Sequence, residues 1–380
     1  SGFVSAPGNK YKMYTIPWEK MLQPRAGVTW AYNGKDTLFA SYARYSPSAN
    51  SLPRAASWDR NLTGTFIDAS FDQNGVLFAA IPRGSSSGKL FVADLTPHTV
   101  DEIVLGTAKD FNQHFSGRLY GRYRAGSHFW EDTNNNARVA FNPPAGIPRE
   151  LYIPDLAAKL AQIGSGSTYV ITELDGGYSR YYEGTMEADY RGDKTFIHGT
   201  FTFTRYYGNF DQDDTTGGAN DMNTFIGSSN IGDGAGRQLW DYKDGTLHGD
   251  RPYIIKIFGT RLLPWNASTG FFFITQAGQP WEINSFEPYR SLTTSTSDSN
   301  RFAQKAGAQR TSSHWQVDLN YTQNFAIATR YNFQIALDVF NIFDKQTGYN
   351  IDPNAHSATF GQPRNYYAPR RLQVAARFQL

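Results

Sequence analysis

The chain has no cysteine, which excludes a disulfide framework and thiolate metal sites and suits a cytosolic or a bacterial envelope protein equally. No apolar run approaches the ~18 residues that a membrane-spanning helix needs, and mean hydropathy is -0.51. Helical spanning is therefore excluded. Lys and Arg form no block, and the formal net charge is only +2, so no nucleic-acid footprint is present and nucleic acid is not an expected partner. The seven histidines lack ligand spacing such as His-x-x-x-His. No unit of about 40 to 50 residues recurs, which argues against a propeller. Neither a starter Met nor a charged and apolar leader precedes Ser1-Gly2-Phe3; the sequence predicts a removed export signal or a piece of something longer.

What is present is strand. Aromatic residues make up 15% of the chain, with 23 Tyr and 27 Phe, the composition of a β-rich protein. From Arg370 to Leu380, Leu372, Val374, Ala376, Phe378 and Leu380 alternate with Arg371, Gln373, Ala375, Arg377 and Gln379, a period of two. Ten earlier segments follow the same logic: 23–32, 37–46, 100–109, 115–124, 181–190, 195–207, 251–262, 268–277, 314–322 and 331–341. Asn33-Gly34-Lys35-Asp36 and Arg191-Gly192-Asp193-Lys194 read as tight hairpin turns. One helix is expected, over 154–163, opened by Pro154 and Asp155 and stopped by Gly164. Residues 168–174 read as a prolongation of the fifth strand, and 1–21 as an irregular lead-in with a short extended run near 11–18.

Connections between the eleven strands alternate: four to about eight residues at one end, roughly thirty to fifty at the other. A soluble sandwich hides the same alternation in a core, but seldom sorts its loops by length. An outer-membrane barrel does, because one rim faces the periplasm and the other the outside. The fold expected is all-β, an antiparallel up-and-down transmembrane β-barrel. Eleven strands cannot close antiparallel on themselves, and unpaired edges are forbidden in lipid. The eleven are accordingly read as half of a 22-strand wall.

Several stretches carry a family resemblance. Leu22-Gln23-Pro24-Arg25-Ala26-Gly27, Leu38-Phe39-Ala40-Ser41-Tyr42-Ala43-Arg44-Tyr45 and Thr99-Val100-Asp101-Glu102-Ile103-Val104-Leu105-Gly106 resemble the barrel of TonB-dependent outer-membrane receptors. So do Gly245-Thr246-Leu247-His248-Gly249-Asp250-Arg251-Pro252, Asp338-Val339-Phe340-Asn341-Ile342-Phe343-Asp344 and Pro369-Arg370-Arg371. The Oar-like branch, with a carboxypeptidase-regulatory-like domain before the plug, is the nearest match. The resemblance covers 22–380 and implies the C-terminal half of a 22-strand barrel, with the plug and first barrel half missing. It implies a bacterial outer-membrane location and ligand-gated, energised uptake of a scarce nutrient, without catalysis. Implied partners are the lipid bilayer, the missing plug and barrel half, a small ligand, and the TonB–ExbB–ExbD complex through the absent N-terminal region. An Oar-like role in surface adhesion or protein export is the alternative, and a soluble β-rich binding module a third reading. The chain departs from the pattern at its end, where Gln379-Leu380 follows Phe378 instead of a terminal aromatic.

Alternation also predicts which charges share the polar face: Arg118, Arg122, Glu183, Glu187, Asp189, Lys256, Asp338, Arg371 and Arg377, pairing with one another or with a plug. Glu183 and Glu187, four apart on a strand, stand roughly 13 Å apart, too far for a glycosidase pair. Asp211, Asp213, Asp214 and Asp221 have the oxygens of a Ca²⁺ site at a loop base, although Thr216 stands where an EF-hand requires Gly; solvated turn acids are the plainer reading. Asp132 to Asn136 fails similarly, with Ala137 in the Gly position. Gly84-Ser85-Ser86-Ser87-Gly88 matches the nucleophile-elbow pattern but is followed by strand-like Lys89 to Ala93, where an elbow needs a helix. Trp30, Tyr32, Tyr190 and Trp265 near the short turns, and Tyr45, Tyr207, Tyr253 and Phe340 near the long loops, read as interfacial girdles. Tyr206, Tyr207, Trp130, Trp240 and Trp281 are the candidate loop contacts for a ligand.

Overall fold

The computed structural model describes residues 16–46, 65–85, 88–91, 95–134, 168–173, 177–209, 244–285, 303–327 and 331–379. Its body is one sheet. Eleven strands follow each other in chain order: β1 (Arg25–Ala31), β2 (Thr37–Tyr45), β3 (Thr99–Asp110), β4 (Phe115–Ser127), β5 (Ser179–Arg191), β6 (Thr195–Gly208), β7 (Tyr253–Leu263), β8 (Ala267–Gln276), β9 (His314–Ile327), β10 (Tyr331–Phe340) and β11 (Arg371–Gln379). Every neighbouring pair is antiparallel. These are the eleven segments that the alternation marks. At one end the connections have three to five residues, and at the other at least thirty.

The short turns are set by their own chemistry. Gly34 adopts φ 76°, a left-handed conformation that favours glycine. Beside it Asn33 Oδ1 accepts the Lys35 and Asp36 amides at 3.1 and 2.6 Å, an Asx turn that closes β1 onto β2. Asp36 in turn accepts from Asn33 Nδ2 at 2.9 Å and from the Asp110 amide at 3.0 Å, tying this turn to the end of β3. Those two bonds, the Asn33 side chain foremost, hold its carboxyl below the usual range.

Burial separates the two faces. Leu372, Val374 and Phe378 are 67%, 64% and 56% exposed, and through the register they share a face with Leu337, Leu319 and Phe271, all exposed too. The same face continues through Phe201, Met186, Leu119, Leu105, Leu38 and Val28. Among the described residues the only large apolar side chains below 2% exposure are Phe129 and Leu95. Among the described residues no second layer of sheet covers the apolar face, so burial against them does not shield it; a hydrocarbon solvent would.

The long connections hold more structure than the alternation predicts. A hairpin, Thr65–Phe71 with Leu77–Ser85, lies between β2 and β3. Thr168–Glu173 does not prolong β5: it pairs antiparallel with Trp130–Asn134 and parallel with Gly88–Phe91 in a separate sheet. Two-stranded pieces join Pro280–Trp281 to Gln309–Arg310 and Gly348–Ile351 to Pro363–Tyr366. In the lead-in, Trp18–Met21 is a turn of 3₁₀ helix, and the extended run expected near 11–18 lies mostly outside the described residues. The expected helix over 154–163 lies outside the described residues. Strands flank Ser86 and Ser87 on both sides, the wrong setting for a nucleophile elbow.

Candidate functional site

The polar face of β3 to β6 carries an ion-pair cluster that follows from register. Arg122 stands opposite Glu183, and Arg124 is flanked by Glu102 and Tyr181. Arg122 Nη1 donates to Glu183 Oε2 at 2.9 Å, and its Nε lies 3.4 Å from Glu102 Oε2 without completing a hydrogen bond. Arg124 Nε donates to the same Glu102 oxygen at 2.5 Å. Tyr181 and Thr185 hydroxyls donate to the two Glu183 oxygens at 2.7 and 3.1 Å. Both carboxylates are well buried, with side chains 7% and 11% exposed; at that depth removing one partner costs more than the pair contributes.

The other polar-face charges differ in what they touch. Arg118 is in register with Glu187, yet its guanidinium lies over the Phe39 and Tyr120 rings at 4.8 and 4.9 Å. Asp189 accepts from His198 Nδ1 at 2.9 Å. Asp338 accepts from Asn320 at 2.7 Å, and Arg371 stacks over Phe340 at 5.2 Å. Lys256 lies opposite Thr200, and Arg377 opposite Gln334. Among the described residues Glu187, Lys256 and Arg377 have no ion-pair partner. They are fixed charges open to whatever fills this side of the sheet.

Above β6 to β11 the long connections lock together on buried polar groups. Asp250, 3% exposed, accepts from Arg310 Nη2 at 2.6 Å and from the Tyr206 amide at 2.7 Å. Glu282, 1% exposed, accepts the Gly307 amide at 2.9 Å and faces His248 Nε2 at 3.3 Å. Asp352 accepts from Arg364 at 2.7 Å and from Thr359 Oγ1 at 2.6 Å. Burial alone would raise its pKa; hydrogen bonds from Ser357, Thr359 and the Asn354 amide, with the Arg364 charge, hold it below the usual carboxylate range. The His314 ring stacks on Tyr367 at 3.6 Å, and Tyr367 also accepts from Gln276 at 2.5 Å. This platform fixes the loop bases over the polar face.

Of the candidate ligand contacts, Tyr206 points to the polar side, its ring 5.9 Å from Tyr181. Tyr207 points the other way, stacked on Tyr182 on the apolar face, because consecutive strand residues alternate. Trp281 is half-buried, edge-on to Phe360 at 6.4 Å. Trp130 opens the strand Trp130–Asn134. Trp240, Asp211, Asp213, Asp214 and Asp221 lie outside the described residues, and among the described ones no three metal-ligating side chains gather. In the girdles, Trp30, Tyr32, Tyr190 and Trp265 are exposed as expected. Tyr45 and Phe340 instead turn to the polar face, each under an arginine, Arg25 and Arg371. The sequence reading missed Glu102, Asp250, Glu282, Asp352 and Arg310. Of these, Asp250 and Glu102 had a signal, standing in the Gly245–Pro252 and Thr99–Gly106 stretches.

A single-layered meander with sorted loops, one apolar and one charged face, defines the fold of outer-membrane transporter barrels. Two solved structures share it. The outer-membrane transporter YddB from Escherichia coli aligns over 94% of this chain and 40% of its own, with TM-score 0.56 and 14% identity. The ferripyoverdine receptor of the Pseudomonas aeruginosa outer membrane aligns over 94% of this chain and 32% of its own, with TM-score 0.50 and 10% identity. The likeness is one of fold, and the chain spans 40% or less of the length of these two structures. No protein-family model matches the sequence, and no curated protein does.

Proposed function

We propose that this chain is part of the wall of a TonB-dependent receptor in the bacterial outer membrane, serving energised uptake of a small, scarce nutrient. The observation that carries the reading is the run of eleven consecutive antiparallel strands whose apolar face is exposed and whose opposite face holds Arg122, Glu183 and Glu102; an exposed apolar face suits a hydrocarbon solvent. In that setting the polar face lines the lumen. The ion-pair cluster stiffens it, while Glu187, Lys256 and Arg377 meet a plug or ligand. The long-loop platform then holds the mouth, with Tyr206 beneath it. The similar structures are an outer-membrane transporter and a receptor bound to ferripyoverdine, which favours a small chelate among candidate ligands.

No residue here is assigned a chemical step: the carboxylates serve as positioned acceptors. Uptake of a labelled ligand by cells carrying the full-length protein tests the proposal. Deleting a TonB box is expected to abolish transport and leave cell attachment unchanged; lost attachment with unchanged transport supports adhesion instead.

A further inference from the structure

At the long-loop end of the apolar face, around β4 to β6, four tyrosines form a continuous row. The Tyr123 and Tyr182 ring centroids are 5.0 Å apart. Tyr182 stacks on Tyr207 at 6.1 Å with planes 5° apart, and Tyr178 meets Tyr207 edge-on at 6.3 Å. Two guanidinium groups lie on this row, Arg205 over Tyr207 at 5.0 Å and Arg180 over Tyr178 at 5.3 Å. Arg180 stands opposite Tyr207, and Arg205 opposite Tyr182. That diagonal sets the two backbones about 7–8 Å apart, so both side chains reach one tetrahedral anion.

Among the described residues no carboxylate compensates the charges of this pair. Arg180 Nη1 donates only to the carbonyls of Gly126 and Ser179, at 3.1 and 2.7 Å. Arg205 is exposed and lies over the Tyr207 ring. Asp244, the acid that joins the row, accepts from the Tyr178 hydroxyl at 2.7 Å; neither arginine has a carboxylate partner among the described residues. Nearby on the same face the sheet does neutralise an arginine: Arg44 binds Asp101 through two bonds of 2.8 and 2.9 Å. Two bare cations on a hydrocarbon-facing wall are costly, whereas at headgroup depth, bedded on amphipathic tyrosines, they suit an anion. The planar guanidinium fork matches phosphate best.

We propose that Arg180 and Arg205, with the tyrosine row beneath them, bind the phosphate of an anionic lipid headgroup in the outer leaflet. The inference rests on the membrane reading above and adds a site to it. The test is native mass spectrometry of the full-length protein in detergent, with diphosphorylated lipid A as probe and dephosphorylated lipid A and inorganic phosphate as comparisons. At about 1 kcal/mol per basic residue, each single Gln variant is expected to weaken lipid A retention about fivefold, and Arg180→Gln with Arg205→Gln roughly thirtyfold. Lys35→Gln at the opposite rim removes the same charge and is expected to change nothing. Where the Gln variants fail to assemble, Arg180→Lys with Arg205→Lys keeps the charge and is expected to retain the lipid. Equal retention by the double Gln variant, equal binding of the dephosphorylated lipid, or complete displacement by millimolar phosphate overturns the site. Heat-modifiable migration of the same samples reports the barrel separately.

Discussion

Asp250 ties two long connections together, its carboxylate accepting from Arg310 and from the Tyr206 amide at the end of β6. Replacing it by Ala leaves the Tyr206 amide without its acceptor and takes the carboxylate from Arg310, whose Nη1 keeps the backbone carbonyls of residues 250 and 278. The expected cost is about 2 kcal/mol, read as a lower unfolding temperature in detergent and faster proteolysis of the long connections, with the sheet intact. Asp352 gives a pH signature. Its pKa is lowered on folding, so its contribution is fully present above its unfolded value and is lost as pH falls through the folded one. Amide protection in 352–364, taken relative to the intrinsic exchange rate at each pH, is expected to be unchanged between pH 8 and 5 and to fall only below the ordinary carboxylate value of 3.8. Neither residue was legible as a partner in the sequence. Asp250 meets Arg310 across two chain-distant loops and Asp352 meets Arg364 within one, and period-two patterning contains nothing about loops.

Strands were legible because one face needs apolar side chains and the other does not, so β1 to β11 announce themselves to within a few residues. Their register was legible only in part. Arg118 and Glu187 are in register, as the alternation allows, but Arg118 prefers the rings of Phe39 and Tyr120. That is a rotamer choice. Close packing on the polar face makes glycine positions unequal. A Cβ at Gly106 would come within 2.3 Å of the Phe39 ring and 2.6 Å of Tyr120 Cβ, whereas at Gly184 nothing lies within 4 Å. Gly106→Val is expected to reduce the heat-modifiable fraction of assembled protein severely, and Gly184→Ala to leave it at the wild-type level.

At the scale of the molecule, β1 and β11 end the sheet, each with a single neighbour. Both run from the long-loop rim to the short-turn rim, so they cannot close antiparallel on one another. On the membrane reading proposed above, orphan backbone groups in lipid would cost several kcal/mol each, and both margins would need further strands to pair with. Expressed alone, residues 1–380 are expected to give no heat-modifiable band, while the full-length protein gives one. Single nitroxide labels settle the central question of which way the faces look, and a chain without cysteine takes each label at one site. With labels placed one by one from 371 to 378 in the full-length protein in bilayers, positions 372, 374, 376 and 378 are expected to be reached by oxygen dissolved in lipid, and 371, 373, 375 and 377 by a water-soluble nickel complex. Uniform accessibility, or the opposite alternation, would contradict the account.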